Sequence, residues 1–252
     1  MLTKVSLGAL LVLMCSHIAS AQGKLPSSYD WRAYNILTPV KHQKDCGSCG
    51  EFAAVALFEA LIKKQTGTDI DLSEQQIVSC VAQCGCNTGC SSLRALQYIR
   101  DSGIVLETDF PYLGKDTSCI ADLKGKYFIS NVISTEIHRR SLEERIQTIK
   151  QTVFEFGPVA TNMALYDDLD KYREGVYTYN GKARSQGGHW VLIVGWNDDP
   201  SMTGGGYWIC RNSWGEKWGN KGYFNSAYGD ATGIDDFYIV FGLYNPPEKK
   251  SE

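Results

Sequence analysis

The sequence predicts an α+β fold. Helical spacing of apolar residues is confined to the first part of the chain, strand-like apolar runs fill the rest, and Gly157-Pro158 marks the change. Helices segregated from strands in this way belong to an α+β architecture, whereas alternation would indicate β-α-β units.

Each element has its own justification. From Cys49 to Lys64 the residues Phe52, Val55, Ala56, Leu57 and Leu61 recur at helical spacing, and Gly67 stops the pattern. Ser73 with Gln76 forms a capping-box signature for a second, shorter helix. A third runs from Ser92 to Arg100 on Leu93, Leu96, Tyr98 and Ile99, and ends before Gly103. Ser141 with Glu144 opens a fourth that carries Ile146, Ile149, Val153 and Phe154. Strands are expected over Val159 to Ala164, Gly175 to Tyr179, Trp190 to Trp196, Gly206 to Arg211 and Tyr223 to Ser226, with Gly, Asn and Asp between them. The expected division is a helical lobe over about 22–132 and a β-rich lobe over about 133–245, with the functional cleft between them.

Residues 1–21 read as a secretory signal: one lysine, an apolar run from Val5 to Cys15, and the small-residue site Ala19-Ser20-Ala21. That run is shorter than the roughly 20 residues a membrane-spanning helix needs. A soluble domain over residues 22–252 is therefore expected, with no membrane partner. The net charge of -3, with both signs interspersed, supplies no basic footprint for nucleic acid. The tail from Pro246 to Glu252 reads as disordered.

Cys49 sits where a turn-rich segment meets the first helix, in Cys46-Gly47-Ser48-Cys49-Gly50-Glu51-Phe52. The first N–H groups of a helix have no internal partner and carry partial positive charge, so a sulfur there ionises more readily. Since the thiolate is the attacking species, Cys49 is a candidate nucleophile.

With His189 in Gly187-Gly188-His189-Trp190 and Asn212 in Arg211-Asn212-Ser213-Trp214-Gly215, the chain resembles the papain-like cysteine peptidases. His189 lies 140 residues and Asn212 163 residues beyond Cys49. Leu25-Pro26 to Trp31-Arg32, Leu72-Ser73-Glu74-Gln75-Gln76, Gly85-Cys86-Asn87 and Trp214 to Tyr223 extend the resemblance over nearly the whole chain after the signal.

The resemblance implies a papain-like two-lobed fold and a secreted or endolysosomal cysteine endopeptidase. Cys49 would be the nucleophile, His189 its acid-base partner, Asn212 the orienter of the imidazole, and Gln43 an oxyanion-hole donor together with the Cys49 N–H. It implies disulfides Cys46–Cys86 and Cys80–Cys119. Cys84 and Cys90 lie outside the usual pattern in one short loop and are expected to bond to each other, while Cys210, in an apolar strand, reads as a core residue. The two positions of a further family disulfide fall on Ala183 and Thr232, so that bridge is missing and a looser β-rich lobe is expected.

By the same alignment the specificity pocket is walled by Cys90, Ser91, Asn162, Gly188, Trp190 and Phe237, and Trp214 shields the His189–Asn212 pair. Bulky Trp190 and Phe237 make that pocket shallow, and no acid lies at its floor, which favours small or medium apolar substrate side chains. Cathepsin B, a relative that trims C-terminal dipeptides, uses a paired-histidine loop. None is found here, which favours endopeptidase action. Polypeptide substrates, cystatin-like protein inhibitors and a monomeric state are the implied partners, with no cofactor. A zinc site from Cys80, Cys84, Cys86 and Cys90 is disfavoured, because the spacing is only loosely zinc-like and no nearby histidine completes it.

Three departures qualify the resemblance. Gly50 stands where the family has an aromatic residue, which removes packing at the helix start. Glu51 follows, and its charge is expected to make Cys49 somewhat less acidic, by a small amount because side chains two apart on a helix do not face each other. No inhibitory pro-region is expected between the signal and Leu25. These three motivate an alternative reading, a catalytically weak homologue that binds peptides or inhibitors in the same cleft.

Overall fold

The computed structural model describes residues 24–246; the signal segment 1–21 and the tail 247–252 lie outside them. Strand β1 (Ser28–Asp30) is followed by helices α1 (Cys49–Thr66), α2 (Glu74–Cys80) and α3 (Ser92–Ser102). Strand β2 (Asn131–Glu136) and helix α4 (Leu142–Phe156) lead into β3 (Val159–Tyr166), β4 (Val176–Tyr177), β5 (Ser185–Asp198), β6 (Gly206–Arg211), β7 (Tyr223–Ala227) and β8 (Tyr238–Leu243). These strands form one sheet in the order β2-β8-β3-β5-β6-β7-β4, and β1 pairs off the path with β5. All pairings are antiparallel except that of β4 with β7.

The four expected helices form within a residue or two of their sequence limits. Ser141 and Glu144 complete a reciprocal capping box on α4. The one expected at Ser73 is only half made: Ser73 accepts from the Gln76 N–H, but the Gln76 side chain donates to Tyr98 and Gly103 and accepts from the Val105 N–H. Burial explains the difference, since Gln76 has three backbone and hydroxyl partners to satisfy inside the lobe.

Helix α1 is enclosed on every side, from Cys49 to Lys63, as expected of a helix at the centre of a lobe. Leu57 and Phe58 are fully buried with α2 and α3 around them, and each such side chain contributes about 1.5–3 kcal/mol. Along β5 the alternation of strand side chains separates two cores. Trp190, Leu192 and Val194 face the helical cluster, while Val191 and Ile193 pack with Ile149 and Val153 of α4.

The chain crosses between lobes more than once. Strand β1 pairs with β5, and the Trp31 indole donates to the Val153 carbonyl at 2.8 Å. The first described residues thus belong to the β-rich lobe, not to the helical lobe in which the sequence division placed them, because their apolar partners are there. At the other end Tyr244 meets Phe58 of α1 edge to face.

Disulfides join Cys46–Cys86, Cys80–Cys119 and Cys84–Cys90, which leaves Cys49 and Cys210 as the free cysteines among the described residues. Cys210 is fully buried in the β-rich core. No helix among the described residues is long and apolar enough to cross a membrane.

Candidate active site

Three elements converge on the site: the N-terminus of α1, strand β5, and the turn after β6. Ser48 occupies the cap of α1 without capping it; its hydroxyl pairs instead with the Tyr112 hydroxyl at 2.7 Å, and that hydroxyl also donates to the Gln43 carbonyl. The first amides of the helix stay free of a side-chain acceptor. The backbone N–H groups of Trp190, Gly50 and Cys49 itself lie near the Cys49 sulfur and favour its anion. The Trp190 amide belongs to β5, so the residue after His189 stands beside the sulfur.

Antiparallel pairing of β5 with β6 places His189 against its partners. The pairing runs to Leu192 opposite Arg211, so His189, three residues before Leu192, comes close to Asn212 just past the end of β6. His189 Nε2 donates to Asn212 Oδ1 at 2.8 Å. The same Oδ1 accepts the Ser213 N–H at 2.8 Å, which fixes the amide's orientation and with it the Nε2–H tautomer of the imidazole. The Trp214 ring lies over His189 with centroids 5.0 Å apart, and Trp218 stands edge-on to Trp214. The His189–Asn212 pair is thereby kept from water.

Gln43 is held by both ends of its amide. Its Oε1 accepts from the Ser213 hydroxyl at 2.6 Å and its Nε2 donates to the Cys46 carbonyl at 2.8 Å, which leaves one N–H for a ligand. Two strands of contact tie this segment to the β-rich lobe: Gln43 N–H to the Ser213 carbonyl and Gly215 N–H to the Lys41 carbonyl. Ser213 and Tyr112 are positioning residues that no sequence pattern singles out, since an isolated serine or tyrosine carries no signature.

Burial dominates the titration of both central groups. It pushes the Cys49 thiol up to about 11 against the pull of three N–H groups, and Glu51 adds to the rise. It pushes His189 down to about 4, with Asn212 opposing. Either charge alone is costly here; a thiolate and an imidazolium formed together by proton transfer offset one another.

A cleft of about 390 Å³ opens beside Cys49, lined by Gly47, Gln83, Thr88, Gly89, Cys90, Ser91, Arg94, Asn162, Gly188 and Trp190. Five of the six expected wall residues are there. Phe237 is not: it is half-exposed and leans on Gly233, while its neighbour Tyr238 meets Trp190 edge to face at 5.7 Å. Adjacent residues on an extended chain face opposite ways, so a difference of one position moves an aromatic ring out of the cleft. Gln83 and Thr88 from the loop after α2, and Arg94 from the first turn of α3, have no sequence signature, because only the folding of these segments brings them to the rim.

Gly50 turns out to be a packing requirement. A Cβ there would stand 1.8 Å from the Cys90 carbonyl oxygen, so the loop carrying Cys90 occupies the volume an aromatic residue would need. The expected loss of packing at this position is therefore made good by backbone.

Glu51 is the second departure that the structure reinterprets. It is wholly enclosed, and neither carboxylate oxygen has a hydrogen-bond partner. Desolvation raises its pKa to about 8, and the nearby Asp116 charge adds to the rise. Its proton stays on through most of the pH range, so the like charge facing Cys49 is set by burial more than by helix spacing.

Because this folded pKa lies above the unfolded value near 4.5, the folded chain holds a proton that the unfolded chain has released between those two values. Stability from this group is complete below about 4.5 and is lost as pH rises through about 8. Glu51→Gln should leave stability unchanged near pH 4.5 and raise it by about 2–4 kcal/mol at pH 8. Urea unfolding at the two pH values checks this, and equal gains at both would sink it.

Residues 25–240 match the family described as papain family cysteine protease. Cathepsin K of Gallus gallus is 34% identical over 212 residues, 82% of this chain and 60% of that protein. Pro-cathepsin H of Mus musculus is 34% identical over 217 residues, covering 83% of this chain and 62% of its own length. The chain thus spans about 60% of the length of the curated relatives it matches. Among solved structures, digestive procathepsin L 3 of the Tenebrio molitor larval midgut superposes with a TM-score of 0.75 at 29% identity, over 90% of this chain and 72% of that one.

Proposed function

The chain belongs to the papain family of cysteine proteases, and we propose that it is a thiol endopeptidase acting on polypeptides through Cys49, His189, Asn212 and Gln43. The observation that carries the reading is the Nε2–Oδ1 bond of His189 to Asn212, beside a cleft that Cys49 and Trp190, the residue after His189, both line.

With Nε2–H donated to Asn212, Nδ1 is the free base. The thiol proton passes to that nitrogen, and the sulfur attacks the scissile carbonyl carbon as a thiolate. Negative charge then develops on the carbonyl oxygen, where the spare Gln43 Nε2–H and the Cys49 N–H are suited to receive it. Collapse of the tetrahedral species breaks the C–N bond, and the imidazolium returns its proton to the departing amine. Water, deprotonated by the same imidazole, cleaves the thioester and restores the thiol.

Trp190 gives the cleft an apolar wall and no acid lines it, which supports small or medium apolar side chains at the subsite preceding the scissile residue. Three disulfides among the described residues support a life in the secretory pathway, outside the cell or in an endolysosomal compartment. Cystatin-like inhibitors and a monomeric state remain part of this proposal.

The test is hydrolysis of a fluorogenic peptide with an apolar residue in that subsite, with and without a thiol-directed epoxide. Turnover that the epoxide abolishes supports the reading. Gln43→Ala should lower kcat by about 100- to 1000-fold with little change in KM; a change confined to KM would remove Gln43 from the oxyanion site. The raised Cys49 thiol favours a second reading, a cleft that binds peptides without cutting them. Epoxide labelling or peptide binding with no turnover at any pH would select it.

A further inference from the structure

Of the buried acids, Glu51 is the one whose surroundings the chemistry above leaves unexplained. Glu59 is satisfied by Thr38, Lys41 and the Leu72 N–H, and Glu74 by Lys41. Glu51 is just as enclosed, yet both of its oxygens are orphaned. Such a group is rare, because a buried acceptor without a donor forfeits all its hydration.

What faces it is the Cys84–Cys90 disulfide. One Glu51 oxygen and the two sulfurs all lie within 4.8 Å of one another. Gly50 permits this closeness, since any side chain there would push the Cys90 carbonyl away. Cys84 is half-buried, so the corner can be reached from solvent on its side. The exposed Asp116, whose carboxylate accepts the Cys86 N–H at 2.7 Å, adds negative potential at the entrance.

We propose that reduction of the Cys84–Cys90 disulfide turns this corner into a binding site for a thiophilic divalent cation of the zinc class, held by both sulfurs and one Glu51 oxygen. The reductant is a thiol or dithiol, which delivers two electrons and two protons and leaves as its own disulfide. Binding of the cation then releases both cysteine protons and the Glu51 proton, with water as the fourth ligand. Tetrahedral zinc with bonds of about 2.3 Å holds two thiolates about 3.7 Å apart, a separation that two sulfurs freed from a common bond in one short loop can reach. Two soft ligands and one carboxylate select zinc or cadmium over calcium or magnesium.

The site differs from the cysteine-only zinc cluster set aside on spacing, because Glu51 comes from α1 and replaces the missing histidine. It also has a use. The conditions that keep Cys49 reduced endanger an accessible disulfide, and Cys90 and Ser91 wall the cleft beside Cys49. A cation in this corner rejoins Cys84 to Cys90 and, through Glu51, ties the cleft wall to α1. The inference stands on the corner's geometry and does not depend on peptide hydrolysis.

To test it, the full chain is treated with a thiol-directed epoxide to block Cys49, reduced with a water-soluble phosphine, freed of reductant under nitrogen and dialysed against zinc chloride. Peptide mapping establishes that Cys84 and Cys90 are free thiols, and elemental analysis gives the bound zinc. One equivalent more zinc is expected on the reduced parent than on the reduced Cys84→Ser/Cys90→Ser variant. Its affinity should be weakened at least about tenfold by Glu51→Gln, and the equivalent lost in Cys84→Ser/Cys90→Ser. The other two disulfides are unaltered in every variant, so zinc on their cysteines cancels in the comparison. No additional zinc with both thiols free, or equal affinity in Glu51→Gln, overturns the proposal. If the double serine variant does not fold, Glu51→Gln decides alone, since its disulfide forms before reduction.

Discussion

Cys49→Ser is expected to lower kcat/KM for peptide hydrolysis by more than about 10,000-fold while leaving the fold intact. The substitution replaces sulfur by oxygen in the same buried position, with the same three N–H groups around it. Those amides stabilise an anion once it exists, but an alcohol starts from an intrinsic pKa far above that of a thiol and does not give its proton to an imidazole held down near 4 by burial. The serine variant therefore retains the peptide-binding cleft and loses the nucleophile. Steady-state hydrolysis alongside binding of an uncleaved peptide separates the two. Turnover within tenfold of the parent would mean that Cys49 is not the attacking group.

The same physics predicts a thiol less acidic than the helix terminus alone would make it. Alkylation of Cys49 followed against pH should have its midpoint well above 4. Glu51→Gln should bring that midpoint down, because the Glu51 carboxylate is among the causes of the rise.

Lys41→Met is expected to cost about 3–5 kcal/mol of stability, the largest effect of any single change outside the site. Lys41 Nζ lies 2.9 Å from both Glu59 and Glu74, whose side chains are 0% and 1% exposed, and 2.6 Å from the exposed Asp71. It also donates to the Leu72 carbonyl. These carboxylates raise the Lys41 pKa against the opposing desolvation, so the ammonium is charged at every accessible pH. Removing it leaves two enclosed acids without their cation.

Desolvation already holds Glu74 up to about 8 even with Lys41 present, and loss of the lysine raises it further. A folded pKa raised above the unfolded value contributes stability that is complete below that unfolded value and is lost as pH rises through the folded one. The deficit of the variant should accordingly be small near pH 4.5 and grow as pH rises toward 8 and beyond. Urea denaturation of parent and variant over this range measures it. A second change, Glu74→Gln, should recover part of the loss at high pH. A deficit independent of pH would mean that packing of the lysine stem, not its charge, is what α1 requires. Lys41 also sits two residues before Gln43, with its carbonyl on the Gly215 N–H, so the ion network anchors the segment that carries Gln43, the proposed oxyanion donor.

The sequence by itself determined the positions where local pattern and chemistry coincide. Cys49 was legible because a helix start is encoded within a few residues on either side of it, and the four helices because their apolar spacing and stop signals are local. His189 and Asn212 were legible because each lies in a short distinctive run, and their separation along the chain matched a known order. Strands β1, β2 and β8 were not, since β1 is only three residues long, β2 lies on the sheet edge, and β8 is defined by the two strands it lies between. Register was hidden for the same reason: whether Phe237 or Tyr238 turns toward Trp190 depends on how the chain enters β8.

Only the tertiary structure decided the meaning of Gly50 and Glu51. Helix spacing alone made the first a loss and the second a weak neighbour of the thiol. The loop that carries Cys84 and Cys90 folds across the start of α1, fills the space over Gly50 with backbone and seals Glu51 from water. Dielectric environment and excluded volume are properties of what packs against a residue, and those neighbours come from parts of the chain about 40 positions away.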